Sequence, residues 1–95
     1  MTDQCIEFRL YVTGEAPNSR QAIANLVAFC RQHLANRHNI EIVDVLEHRQ
    51  RALDEGVLLT PALVIRSPGP TRTLVGNLAK PDVLRRALSL SDPKP

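Results

Sequence analysis

The chain has 95 residues, of which 43% are hydrophobic and 23% charged, with a net charge of +2. That length and composition predict one compact domain spanning residues 1–95, too rich in apolar residues to be disordered. Basic residues are interspersed with acids, and the aromatics are two Phe and one Tyr. Neither a basic stripe nor a stacking platform is available, which argues against nucleic-acid binding. No apolar run approaches the roughly 20 residues of a membrane-spanning helix, and the first residues do not have the pattern of a signal peptide. The expected location is therefore cytoplasmic, with no membrane partner.

The first element is a strand, because Ile6, Phe8, Leu10 and Val12 alternate with Glu7, Arg9 and Tyr11. It ends at Thr13-Gly14. A helix follows, for which Asn18 is a suitable N-cap with Gln21 completing a capping box. Its apolar stripe is Ala22, Ile23, Leu26, Val27, Cys30 and Leu34, and Arg31, His33 and Arg37 complement its C-terminal dipole. Ile40, Ile42, Val43, Val45 and Leu46 predict a second strand, a β-branched run that suits a central position covered on both faces. A short helix over His48–Glu55 is expected to stop at Gly56.

Thr60-Pro61 introduces a third strand, Ala62-Leu63-Val64-Ile65. The turn Ser67-Pro68-Gly69-Pro70 then returns the chain into a fourth strand over Thr71–Val75, forming a hairpin. Pro81 suits a first helical position, with Val83, Leu84, Ala87 and Leu88 on one face. Read instead as a strand, that segment would place Arg86 among Leu84, Leu88 and Leu90; helix is the better reading. The order βαβαββα, an α/β domain with a right-handed βαβ unit followed by a hairpin and a helix, is the thioredoxin arrangement.

Little in the chain carries catalytic chemistry. A thioredoxin places a cysteine at the N-terminus of its first helix, where the dipole favours the thiolate; here Ala16-Pro17-Asn18-Ser19 stand there. Cys5 and Cys30 form neither a CxxC nor a metal-ligand spacing and are expected to be buried apolar side chains. Ser19 is expected in an ordinary helix-cap role. His33, His38 and His48 show no metal-binding spacing, and they are expected on the surface. Asp54 and Glu55 are expected on a solvated helix face, and Gly14 and Gly76 stand alone rather than in a phosphate loop. Pro61 occupies the place at which a thioredoxin carries a cis-proline. No cofactor, metal or enzymatic activity is expected.

Three segments together resemble the KaiB family of clock proteins. They are Leu10-Tyr11-Val12-Thr13-Gly14-Glu15-Ala16-Pro17-Asn18-Ser19, Ile42-Val43-Asp44-Val45-Leu46 with Leu59-Thr60-Pro61-Ala62-Leu63, and Arg72-Thr73-Leu74-Val75-Gly76-Asn77-Leu78. The resemblance implies a non-enzymatic regulator that docks on KaiC, a ring-shaped ATPase, in a clock or stress-timing system. It also implies two folds of one sequence: a thioredoxin-like monomer that binds KaiC, and a resting form, a homo-tetramer or dimer, whose C-terminal half is rearranged. Family members carry a Gly and an Asp in the final segment where this chain has Arg86 and Leu88. Replacing Gly with a helix former favours helix by roughly 1 kcal/mol, so this chain is expected to lean towards the thioredoxin-like state.

The partner surface implied by the resemblance comprises Asp54, Glu55, Val57, Leu58, Leu59, Ala62 and Val64, with Arg72 matching a basic position at the KaiC contact. Pro61, Pro68 and Pro70 are the candidate switch or cis-prolines, since X-Pro isomerisation is slow enough to time a conformational change. Binding to a further clock partner, KaiA, carries over poorly, because a basic position on the second strand reads Glu41. The alternative function is a thioredoxin-like redox or transferase enzyme lacking the CxxC. A homotetramer with a purely structural role is a third.

Overall fold

The computed structural model describes residues 5–67 and 69–88. The elements run β1 (Ile6–Val12), α1 (Pro17–His33), β2 (His38–Asp44), α2 (Arg49–Asp54), β3 (Ala62–Ser67), β4 (Arg72–Val75) and α3 (Pro81–Ala87). This is the expected βαβαββα order. The strands form one sheet in the order β2-β1-β3-β4, with β2 parallel to β1 and the other neighbours antiparallel.

Alternation in β1 sends its side chains into two cores. Ile6, Phe8, Leu10 and Val12 point to the larger one, where they meet Ala22, Leu26, Phe29, Cys30 and Leu34 of the α1 segment, Leu63 and Ile65 of β3, and Leu84 of α3. Tyr11 points the other way, into a smaller core with Val43, Ala52, Val57, Ala62 and Val64. All of Ala62–Ile65 is buried, as a strand covered on both faces requires.

Two expectations about these elements are corrected. The β-branched run of β2 lies at the sheet edge rather than in the centre, so only Val43 of it is buried and Ile42 is 42% exposed. The central positions belong to β1 and β3. The strand also ends at Asp44, before Val45 and Leu46, because the Asp44 carboxylate accepts the Leu46 N–H at 2.9 Å and turns the chain.

The second correction concerns the start of α1. Its N-cap is Ala16, with Pro17 in the first turn and no side-chain cap. Proline's fixed φ and missing N–H suit that first position, which places Asn18 inside the helix. Gln21 makes no capping box; its Oε1 accepts from Asn77 Nδ2 at 2.9 Å instead. At the other end Arg37, one of the three basic residues expected there, donates to the His33 carbonyl at 3.3 Å, and His38 Nδ1 donates to the Leu34 carbonyl at 2.8 Å.

The C-terminal segment is helical from Pro81, as expected, and Leu84 is the side chain it buries; Val83 is 40% exposed rather than packed. Leu90 lies outside the described residues. Arg72 of β4 donates to the Ala87 carbonyl, closing the C-terminal end of α3. Cys30 is buried, but Cys5 is exposed at the start of β1, correcting the expectation that both are core residues.

Leu26 is fully buried at the centre of the larger core. Leu26→Ala is expected to cost about 2–5 kcal/mol in chemical denaturation, whereas Val75→Ala, on the exposed β4 edge, should change stability by about 0.5 kcal/mol or less.

Candidate functional site

The β1–α1 turn sits at the end of the sheet beside Thr60 and Pro61. Gly14 adopts φ +47°, a left-handed conformation that a side chain would strain. Its N–H donates to Asp44 Oδ1 at 3.1 Å, while the Thr13 N–H donates to the Ser19 hydroxyl at 3.0 Å. Thr13 and Thr60 share a hydrogen bond through their hydroxyls. The Thr60–Pro61 peptide is cis, the only such bond among the described residues; Pro68 lies outside them, and the bond preceding Pro70 is not cis.

Ser19 is 1% exposed. It is not a helix cap, as the sequence suggested; its oxygen braces the turn from inside the fold and is closed to a substrate. No thiol stands at this turn. Burial pushes the Cys30 thiol up to about 11, so it stays protonated at neutral pH. Among the described residues no group of three His, Cys, Asp or Glu is placed to hold a metal ion.

The next surface is the α2–β3 connection. Leu46, Leu53, Leu58 and Leu59 are 66%, 52%, 84% and 67% exposed. An open groove of about 330 Å³ is lined by Val45, Leu46, Leu53, Val57 and Leu58 and bordered by Thr13 and Thr60, with Leu59 outside its lining. The expected partner residues divide here. Asp54, Leu58 and Leu59 face outwards, whereas Val57, Ala62 and Val64 are 7%, 1% and 0% exposed and serve the smaller core. Val57 forms part of the groove floor, whereas Ala62 and Val64 lie on β3, which is covered on both faces. Arg72 is half-buried and directed to α3 rather than to this surface.

Glu55 differs most from the expectation of a solvated acid. Its Oε1 accepts from the Tyr11 hydroxyl at 2.5 Å and from Arg9 Nη1 at 2.9 Å, and its Oε2 lies 3.9 Å from Arg66 Nε. Arg9 also donates to Glu41 at 2.9 Å, and the second Glu41 oxygen takes Arg51 at 2.8 Å. Burial pulls the Glu55 carboxyl upwards, but the bonds from Tyr11 and Arg9 outweigh it and hold the group below the usual range. The Arg51 and Arg9 bonds lower Glu41 likewise. Burial, and then the bond to Glu55, raise the Tyr11 phenol. The sequence signal for this hub was Arg9, a cation between Phe8 and Leu10 on the strand, where a partly buried charge needs an acidic partner. Asp44 was a second missed residue, and its position directly after a β-branched run marked the turn.

The βαβαββα sheet, the cis-proline beside the turn and the thiol-free Ala16-Pro17-Asn18-Ser19 define a thioredoxin-like domain without the thioredoxin reaction centre. Solved structures agree on the fold. The N-terminal domain of SasA from Synechococcus elongatus matches with a TM-score of 0.77 at 20% identity, over 97% of this chain and 90% of that one. Oxidised mitochondrial thioredoxin 3 from Saccharomyces cerevisiae matches with a TM-score of 0.72 at 14% identity, over 90% and 78%. The KaiB domain model matches residues 9–90, and the chain belongs to the KaiB family. The circadian clock protein KaiB3 of Synechocystis sp. is 38% identical over 85 residues, covering 90% of this chain and 83% of that protein. The circadian clock oscillator protein KaiB of Gloeothece citriformis is 34% identical over 71 residues, covering 75% and 67%.

Two outcomes follow from the site's geometry. Ser19→Ala leaves the Thr13 N–H without its acceptor and is expected to cost about 1–3 kcal/mol of stability, measured by denaturant titration. Glu55 and Glu41 have lowered folded values, so their contribution is present above the unfolded value of roughly 4.3. It is lost as pH falls through the lower folded values. A pH series of melting temperatures should therefore drop on the acid side, and Glu55→Gln should flatten part of that drop.

Proposed function

We propose that this chain is a non-enzymatic regulator that docks on a KaiC-type ATPase, in the cytoplasm, within a clock or stress-timing system. The observation that carries the reading is the cluster of exposed leucines, Leu46, Leu53, Leu58 and Leu59, beside a thiol-free thioredoxin-type turn. Family membership supports the partner class. Large apolar side chains held in water on one face are a common mark of a protein-binding surface. The turn offers such a partner a formed edge with no reactive group. Asp54 lies at the rim and completes the proposed contact with Leu58 and Leu59, while Val57, Ala62 and Val64 support it from beneath.

Arg72 contributes through α3, by fixing the hairpin against the final helix. The Pro61, Pro68 and Pro70 peptides belong to the same proposal as sites where a change of fold would be slow. KaiA is left outside it, since Glu41 brings a carboxylate to β2 and commits it to Arg9 and Arg51. Self-association to a dimer or tetramer is the resting alternative to the docked monomer, and light scattering of the free protein reads it directly.

The test is capture of the chain by a KaiC-type ATPase. Leu58 is 84% exposed, so Leu58→Asp should leave the fold intact while weakening binding tenfold or more, about 1.4 kcal/mol. Unchanged affinity in that variant would remove the leucine surface from the reading. A disulfide-reduction assay should show no activity in the wild-type chain or in the variant carrying Cys5→Ser and Cys30→Ser. Turnover in either one would replace the regulator with an enzyme.

A further inference from the structure

We propose that Glu55 is a positioning residue: through Tyr11, Arg9 and Arg66 it holds the end of α2 on the sheet and so fixes how Leu53, Leu58 and Leu59 are presented. The consequence for binding rests on the docking reading above; the mechanical claim rests on geometry alone.

Helix α2 has six residues and buries one of them, Ala52. A helix that short has no stability of its own in water, so tertiary contacts must hold it. Its apolar anchorage is limited to Ala52 and the following Val57 against Tyr11, Val43, Ala62 and Val64. The Tyr11 hydroxyl enters this small core and needs a partner there. It finds the Glu55 carboxylate, with the Arg51 carbonyl a longer second acceptor at 3.4 Å.

Glu55 is also the residue that ends α2. Its own N–H donates to the Arg51 carbonyl at 3.2 Å, Gly56 follows at φ +77°, and the Val57 N–H returns to the Ala52 carbonyl at 2.8 Å. Along the chain, Glu55 thus stands between Leu53 and the pair Leu58-Leu59. A shift of Glu55 moves all three. Side chains of Arg9 and Glu55 are each 19% exposed, whereas Glu41 in the neighbouring pair with Arg51 is 48% exposed. Charge-assisted bonds are stronger where water is excluded, and exposed pairs contribute little. Glu55 is therefore the dominant tie and Glu41 the lesser.

Hydrogen–deuterium exchange on the free chain tests the mechanical claim, comparing wild type with E55Q, E41Q and the double variant R9Q/E55Q. In E55Q the amides of residues 52–57 should exchange roughly tenfold faster, about 1.4 kcal/mol, while those of β1 and β3 stay protected. E41Q should have a smaller effect, and R9Q/E55Q should add to E55Q only the lesser Arg9–Glu41 pair. No change at 52–57, or an equal rise over the whole chain, overturns the positioning role.

Affinity for a KaiC-type ATPase then reads the consequence. E55Q should weaken binding several-fold although it leaves Leu53, Leu58 and Leu59 themselves unchanged. Unchanged affinity in E55Q alongside lost affinity in L58D would overturn the presentation claim and leave docking standing. Unchanged affinity in L58D would overturn docking, with the exchange result still deciding what Glu55 does to the helix.

Discussion

The strand Ile6–Val12 is shared by both cores, and the rest of the molecule depends on its register. It takes β2 in parallel on one side and β3 antiparallel on the other. Its even-numbered side chains fill the larger core, while Arg9 and Tyr11 face the opposite side. A slip of one residue would exchange the two sets. Arg9 would enter the apolar layer under α1, and Leu10 would sit among the guanidinium and carboxylate groups. Neither exchange is tolerable, since a buried unpaired cation is among the costliest things a core can hold. The pairing of Leu10 with Leu63 and of Arg9 with Val64 is therefore specified twice, once by each core.

That register delivers Thr13 and Gly14 to the end of the sheet, where a thioredoxin keeps its chemistry. In this chain the polar groups of the turn are used on one another. Ser19 takes the Thr13 amide, Asp44 takes the amides of Gly14 and Leu46, and Thr13 bonds Thr60. A nucleophile needs an accessible atom with an activated lone pair; the Ser19 oxygen is buried and committed. The same hydrogen bonds that close the turn to chemistry also make it a firm border for the groove beside it. The committed Ser19 oxygen and the defined edge are two results of one arrangement.

Much of the fold was legible because periodicity and punctuation agreed: alternation in Ile6–Val12, the helical stripe from Ala22 to Leu34, Pro61 before a wholly apolar run, and Pro81 at a helix start. The errors arose where one local signal was read without its neighbour. Asn18 is a better cap than Ala16 on residue type alone, but Pro17 determines where the helix begins. The β-branched run at Ile40–Leu46 has the composition of a central strand. Its edge position follows from the order of pairing, which composition does not encode. The Glu55 hub was hidden for the same reason: Arg9, Tyr11, Glu55 and Arg66 are spread over 58 positions and meet only through strand pairing. The exposed leucines were half legible, since the run Val57-Leu58-Leu59 is apolar throughout and only the structure separates the buried valine from the exposed leucines.

The two faces of the sheet are consequently held in different ways. On one, a helix of 17 residues lays a continuous apolar stripe across the sheet, and burial does most of the fixing, with Ser19, Gln21 and Asn25 adding bonds to Thr13 and Asn77. On the other, a six-residue helix must carry leucines that stay in water. An exposed leucine contributes nothing to holding its own backbone in place, because its apolar surface is never removed from solvent. Any surface that displays such side chains in a fixed arrangement needs its rigidity from another source. Here the available source is the carboxylate of Glu55, which joins the end of the helix to β1 by directional bonds and to β3 by a longer ion pair. Hydrophobic display and polar anchorage are complementary requirements, and the segment from Leu53 to Leu59 meets both.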